Sequence, residues 1–264
     1  MSQPLSAVII AKNEEQNLER CLTSLTWADE IVVVDGGSED GTLEICQRKN
    51  SPWSNKIKIY QRPWDGFRNQ RNYSKQCASH DWILVVDADE RCTPELATKI
   101  KELLDLKEGP PFQAYKVRRI EYFLGKAIHR GIWNPSYQDR FFHRAGVEYV
   151  NNIHEFPCFP SQPGTIHEPL EHAEQFSVER FLQKMNHYTT IEAQDRVRQG
   201  VRTNIFRLLF AFPAMFLKNY FYYGAYQDGI HGFIISLLEG LSRTVRHIKI
   251  WQYSRKIPLE KIHS

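Results

Sequence analysis

The chain has 264 residues, 42% of them hydrophobic and 25% charged, with a formal net charge of +3. These are the proportions of a globular protein with one large or two small domains, and the absence of any apolar run of about 18 residues excludes a membrane-spanning helix. The charge is unevenly spread: residues 197–264 carry ten Lys/Arg against three Asp/Glu, which leaves residues 1–196 net negative and aims the tail at something anionic, a membrane surface or nucleic acid.

The first hundred residues alternate strand and helix patterns. Leu5 to Ala11 reads as a buried strand ending at Lys12-Asn13-Glu14-Glu15, and Leu18, Cys21, Leu22 and Leu25 then repeat at helical spacing. Ile31 to Val34 is a second strand, closed by Asp35-Gly36-Gly37-Ser38-Glu39-Asp40-Gly41-Thr42, a loop rich in residues that permit left-handed backbone and cap helices. A short helix from Thr42, a strand at Ile57–Tyr60, a helix over Phe67–Ala78 and a strand at Trp82–Val86 follow. Thr93 and Pro94 stand at the N-cap and first turn of the next helix. Four such alternations predict an α/β fold, a mostly parallel sheet with helices on both faces. The polar ends of its strands then meet at the carboxyl edge of the sheet, where such folds bind ligands. Neither a dinucleotide nor a P-loop glycine pattern is present.

The fourth strand ends on Asp87-Ala88-Asp89. Residues i and i+2 of an extended chain leave on the same side, so the two carboxylates can reach one point. Two like charges at close range need a proton or a cation, and a hard divalent ion such as Mg²⁺ or Mn²⁺, shared with substrate phosphates, suits them. The alternative is a turn with solvated acids.

After Gly109-Pro110-Pro111 the pattern loosens. Ala114–Val117 and Tyr137–Phe142 read as strands, Pro157–Pro169 as a Pro-rich stretch, and Ser177 as the start of a helical tail. Histidines 167 and 172, five apart, do not share a helix face, which argues against zinc. Residues 208–217 are the most apolar run, flanked by Arg202, Arg207 and Lys218 and interrupted by Pro213. That pattern suits a helix lying in a bilayer interface, or else a core helix or an oligomer contact. The five cysteines form no C-x-x-C pair and read as small buried residues of a reducing compartment. The start lacks a signal-peptide pattern, so a cytoplasmic location is expected.

The stretches Ala7–Glu14, Val34–Thr42 and Asp87–Glu90, in that order and spacing, resemble the family-2 inverting glycosyltransferases of GT-A fold. Gln70-Arg71-Asn72, Gly131–Pro135, Gln138–Phe142 and His154-Glu155 are similar to a subgroup that includes the lipopolysaccharide core β-1,4-glucosyltransferases of Gram-negative bacteria. The resemblance implies a glycosyltransferase domain over 1–175 and a helical, basic, aromatic-rich extension over 176–264. With the diphosphate of a sugar nucleotide to neutralise, Asp89 is the first candidate for a direct metal ligand, Asp87 is a candidate for contact with the metal, its waters or the ribose, and His154 for contact with the metal or a phosphate. The resemblance also implies that Asp35 and Gly36 hold the nucleotide, with Ala11, Asn13 and Glu14 closing over it and Ala88 lying between the acids.

Arg71 and Arg140 are candidates for the diphosphate, since guanidinium forks suit phosphate oxygens; each could instead be an ordinary surface charge. An inverting transfer needs a base for the acceptor hydroxyl. Glu155 is the first candidate and Asp139 its rival, while His154 could equally be a hydrogen-bonded loop residue.

The expected activity is metal-assisted transfer of a hexose, glucose first, from a UDP-sugar to a lipid-linked glycan such as a lipopolysaccharide inner core. It would take place at the inner face of the cytoplasmic membrane, with peripheral membrane contact, a homo-oligomer as one use of the tail, and no nucleic-acid partner. Alternatives are a polyprenyl-phosphate or protein acceptor, or a non-catalytic sugar-nucleotide binder.

Overall fold

A computed structural model describes residues 3–145, 147–150 and 156–255. The chain divides into two compact units, one of residues 1–121 and 136–174, the other of residues 122–135 and 175–264.

The first unit opens with β1 (Leu5–Ala11), α1 (Leu18–Ser24), β2 (Glu30–Asp35), α2 (Thr42–Cys46), β3 (Ile57–Gln61), α3 (Phe67–Cys77) and β4 (Trp82–Asp87). β3, β2, β1 and β4 lie side by side in that order, every pair parallel. Both faces of β1, β2 and β4 are buried, as their continuous apolar runs require, while β3 at the edge of the sheet is only partly covered. Alternate residues go to opposite cores. Ala7, Ile9, Ile31, Val33, Leu84 and Val86 pack with Leu18 and Leu22 of α1, and with Leu96 and Ile100 of α4 (Pro94–Leu104). Val8, Ile10, Val32, Val34, Ile83 and Val85 pack on the other face, against Tyr73 and Cys77 of α3. The expected α/β sheet with helices on both faces is thus present. Thr93 caps α4 as expected, its side chain accepting from the Leu96 N–H.

The sheet continues beyond β4 with strands that run otherwise. β5 (Glu90–Cys92), β6 (Ala114–Phe123), β8 (Ser136–His143) and β11 (Gly164–Phe176) extend it in the order β4, β8, β6, β11, β5. β8 is antiparallel to β4 and to β6, and β11 to β5. A separate two-stranded ribbon joins β9 (Glu148–Val150) to β10 (Phe156–Cys158).

β11 corrects the reading of a Pro-rich stretch. Within residues 164–172, Gly164, Ile166, Leu170 and His172 are buried, but a glycine and a histidine at inward positions, and a proline at 169 on the other face, hide the period of two. His167 and His172 lie on opposite faces because they are five apart on a strand, not on a helix.

The second unit holds the hairpin of Tyr122 and Phe123 with β7 (Lys126–Ala127) and three long helices, α5 (Val178–Arg198), α6 (Ile205–Leu217) and α7 (Ile230–Ser254). One π-helical turn (Lys218–Tyr222) and one 3₁₀ turn (Ala225–Asp228) link α6 to α7. Residues 122–135 are pinned within this unit. The Asp228 carboxylate accepts the N–H groups of His129 and Arg130, the Asn219 side-chain Oδ1 accepts that of Ile132, and the Trp133 indole donates to Glu239 at 2.8 Å. Phe123 and Ile128 bury against Ile235. Among the described residues no helix is long and apolar enough to cross a membrane. Only Ala211 and Met215 of α6 are buried, so it is not a core helix.

Gly232 sits where α7 meets the 3₁₀ turn. A Cβ there would lie 1.7 Å from the Ala225 carbonyl oxygen. That atom belongs to the backbone and cannot rotate away, so Gly232→Ala is expected to cost at least about 1–3 kcal/mol. Urea unfolding, followed by the helical signal, would show the lowered midpoint.

Candidate active site

The turn after β1 and the loop after β2 are laced together at the carboxyl edge. The Gly36 N–H donates to the Ala11 carbonyl at 2.8 Å. Asn13, at a positive φ of 57°, donates its N–H to Ser38 Oγ and accepts the Glu39 N–H on its side chain. The Glu14 N–H donates to Thr42 Oγ1. Asp35 is buried, and its carboxylate accepts the N–H groups of Gly37 and Ser38 and the Ser38 hydroxyl. Both of its oxygens are therefore committed to shaping the loop. Gly36 allows a close approach, since a Cβ there would stand 2.7 Å from the Trp64 ring.

Asp87 ends β4, and its surroundings define the centre of the site. Arg71 from α3 donates to Oδ1 at 2.8 Å and Arg140 from β8 donates to Oδ2. The guanidiniums expected to bind phosphate are thus both turned onto the first aspartate of the motif. Arg140 also reaches Glu90 at 2.7 Å, and Arg119 of β6 lies 3.6 Å from the same carboxylate. Glu90 has no exposed surface, and one of its oxygens accepts the Asp87 N–H.

Burial pushes the Asp87 carboxyl up, but Arg140 and Arg71 outweigh it and hold it well below the usual carboxylate range. For Glu90 burial wins, aided by the Asp87 charge, and its pKa is raised.

Asp89 belongs to a neighbouring set. His172 of β11, in register with Glu90, places Nε2 at 3.1 Å from Asp89 and Nδ1 at 2.6 Å from Glu121. Glu121 in turn pairs with Arg119 at 2.5 Å. Burial alone would lower the His172 pKa. The two carboxylates reverse that and raise it to about 10, so the imidazolium is charged at neutral pH.

One edge of the sheet therefore carries Arg71, Arg119, Arg140 and protonated His172 against Asp87, Asp89, Glu90 and Glu121. Glu90, Arg119, Glu121 and His172 were not among the residues expected from the sequence. Glu90 adjoins the Asp-x-Asp motif, but nothing local marks the other three.

A polar pocket of ~220 Å³ opens beside this network, lined by Arg71, Asp87, Arg119, Gln138, Asp139, Arg140, Tyr149 and Pro157. Asp139, the rival base, is here. Its Oδ1 is buried with no partner among the described residues, and burial raises its pKa against the pull of Lys116 and Arg140. The Tyr149 hydroxyl and Arg140 Nε are likewise buried and unpartnered among the described residues. Two hydrogen bonds between Asn72 and the Tyr149 backbone fix the tyrosine to α3. Glu155 and His154 lie outside the described residues, and Ala88 is buried between the two aspartates.

Hard divalent cations take one or two carboxylates and complete their shell from substrate phosphates and water. Asp89 fits that donor set, being a partly exposed carboxylate at the strand edge. Asp87 has both oxygens taken by guanidiniums. Among the described residues no three His, Cys, Asp or Glu side chains are grouped as a ready-made shell.

A parallel α/β sheet whose carboxyl edge gathers acids, arginines and a glycine-bearing loop belongs to the nucleotide-binding class of α/β enzymes. Residues 6–160 match the family described as Glycosyl transferase family 2. The chain belongs to that family: it is a glycosyltransferase of GT-A fold that uses a nucleotide sugar. It is 30% identical to the lipopolysaccharide core biosynthesis glycosyltransferase LpsC of Rhizobium meliloti, over 94% of this chain and 92% of that one. An uncharacterized glycosyltransferase of Rickettsia conorii is 26% identical over 97% of this chain and 93% of its own. S. aureus TarS in complex with UDP-GlcNAc aligns at 15% identity and a TM-score of 0.45, over 96% of this chain and 87% of that one.

Proposed function

We propose that this enzyme moves a hexose, glucose in the first instance, from a UDP-sugar to a hydroxyl of a lipid-linked glycan of the lipopolysaccharide-core kind, with inversion at the anomeric carbon. The observation that carries the reading is the pair of adjoining charge sets at the carboxyl edge. One ties Asp87 between Arg71 and Arg140, and the other pairs the partly exposed Asp89 with His172. The name of the Rhizobium relative supports the acceptor class.

In this reading residues 1–175 form the catalytic domain. The loops at Ala11–Glu14 and Asp35–Gly36 receive the nucleotide through their backbone groups, since the Asp35 carboxylate is engaged in its own loop. Asp89 would hold Mg²⁺ or Mn²⁺, which when bound supplies positive charge to the departing diphosphate. Asp87 keeps Arg71 and Arg140 in place, so that their fixed charges face the phosphates without reorganising during the reaction.

Asp139 takes the proton of the acceptor hydroxyl. Its raised pKa and unpartnered oxygen suit a base, and it lines the pocket next to Asp87. Glu155 is the competing base, and single variants separate the two. Asp139→Asn should lower kcat by about 10²–10⁴-fold with little change in the KM for donor, whereas Glu155→Gln should lower it only slightly. The reverse ranking would move the base to Glu155.

Residues 176–264 would meet the membrane at its cytoplasmic face, bringing the active site to a lipid-anchored acceptor. Transfer assays with UDP- and GDP-sugars, each with Mn²⁺, Mg²⁺ or chelator, test the donor assignment. Turnover of UDP-glucose with either metal is the expected result, and turnover confined to GDP-sugars would overturn it.

A further inference from the structure

Within the second unit, α6 and α7 enclose a groove of ~290 Å³. Ala211, Ala214 and Met215 form its apolar floor, and Arg207, Lys218 and Arg243 are its cationic lining. Among the described residues none of these three cations is paired with a carboxylate. Arg207 donates to the Arg202 carbonyl and Lys218 lies over the Tyr223 ring, both uncharged partners. His247 also lines the groove, and burial, with Arg246, Arg207 and Arg196 nearby, lowers its pKa. Among the described residues the charge lining the groove is therefore positive and unpaired.

Beside it the outer face of α6 is apolar and exposed. Phe206, Leu209, Phe210 and Leu217 are each more than half exposed and recur at helical spacing. The π-helical turn extends that surface with Phe221, which is 60% exposed. Charge decides which partner fits. A second copy of the chain docking face to face would bring the same cations onto themselves, and like charges in a two-fold contact oppose it. An anionic bilayer offers acyl depth to the aromatics and phosphate to the cations.

We propose that the α6–α7 groove is a seat for the phosphate headgroup of an anionic phospholipid, with the Phe206–Leu217 face inserted among the acyl chains around it. This rests on the membrane contact proposed above and adds to it a lipid class and a binding site. The groove holds the headgroup by Arg207, Lys218 and Arg243, and the π turn places Lys218 at its end.

Flotation of the full chain with vesicles tests the seat, using phosphatidylcholine alone and phosphatidylcholine with 30% phosphatidylglycerol. The chain should float with the anionic vesicles, and added salt should weaken the association. Arg207→Glu and Arg243→Glu should each reduce partitioning by about tenfold or more, given roughly fivefold per basic residue at an anionic surface. Lys99→Glu, on α4 of the other unit, should not. Arg243→Gln, which keeps a good helix former at an exposed position, should lose about fivefold and carries the test if the Glu variants melt early. Equal flotation with both vesicle types, or groove variants that bind like wild type, would overturn the seat while leaving membrane contact standing. No flotation with either would overturn both.

Discussion

Asp89→Asn is expected to lower sugar transfer by at least about 10³-fold while leaving the protein folded. The substitution keeps the size of the side chain and a hydrogen-bonding oxygen, but removes the charge proposed to hold a cation against the diphosphate. Losing charge stabilisation of a leaving group costs several kcal/mol of barrier, and each 1.36 kcal/mol is about tenfold in rate. Stability should change little, because Asp89 is partly exposed and His172 retains its contact with Glu121. Initial rates with saturating UDP-sugar, together with a thermal melt, check both halves. Near-wild-type turnover would remove Asp89 from the centre of the mechanism.

Arg140→Met should behave in the opposite way, failing first in stability. Arg140 is 5% exposed and is shared between Asp87 and Glu90, the second of which is fully buried. Removing it leaves two carboxylates with too little positive charge. Breaking a buried pair from one side costs about 3–5 kcal/mol, far more than an exposed pair would. Glu90 is the group that yields. Its pKa is already raised, so it takes up a proton in the variant and part of the loss is recovered as the pH falls. Denaturant unfolding at pH 5 and pH 8 should therefore show a larger deficit at pH 8. A variant as stable as wild type at both values would show that the network is not what holds β4, β5 and β8 together.

The parallel half of the fold was legible because its chemistry is local. Val8, Ile10, Val32 and Val34 lie in runs that only a doubly covered sheet can bury, and Asp35, Asp87 and Asp89 stand where those runs stop. The antiparallel half was not. β11 carries Gly164, Glu168 and His172 at alternate positions where a half-buried strand usually carries aliphatic side chains, and its burial is set by strands distant in sequence. The site divides in the same way. Asp87, Asp89, Arg71, Arg140 and Asp139 could be picked out by motif and charge. That the arginines clasp Asp87, and that His172 and Glu121 stand behind Asp89, depends on strand order, which brings β8 beside β4 and β11 beside β5. The hairpin segment 122–135 likewise packs with residues a hundred positions later, through Asp228 and Asn219, and no periodicity announces that.

In the proposed mechanism the carboxyl edge binds a uridine diphosphate through a cation at Asp89. Calorimetric titration of UDP into the wild-type protein, with Mn²⁺ and then with chelator, tests it most directly. Saturable binding with Mn²⁺ that weakens by at least about tenfold in chelator is the result predicted. Equal binding in both conditions would contradict the metal-held diphosphate, and no binding in either would contradict the donor site itself.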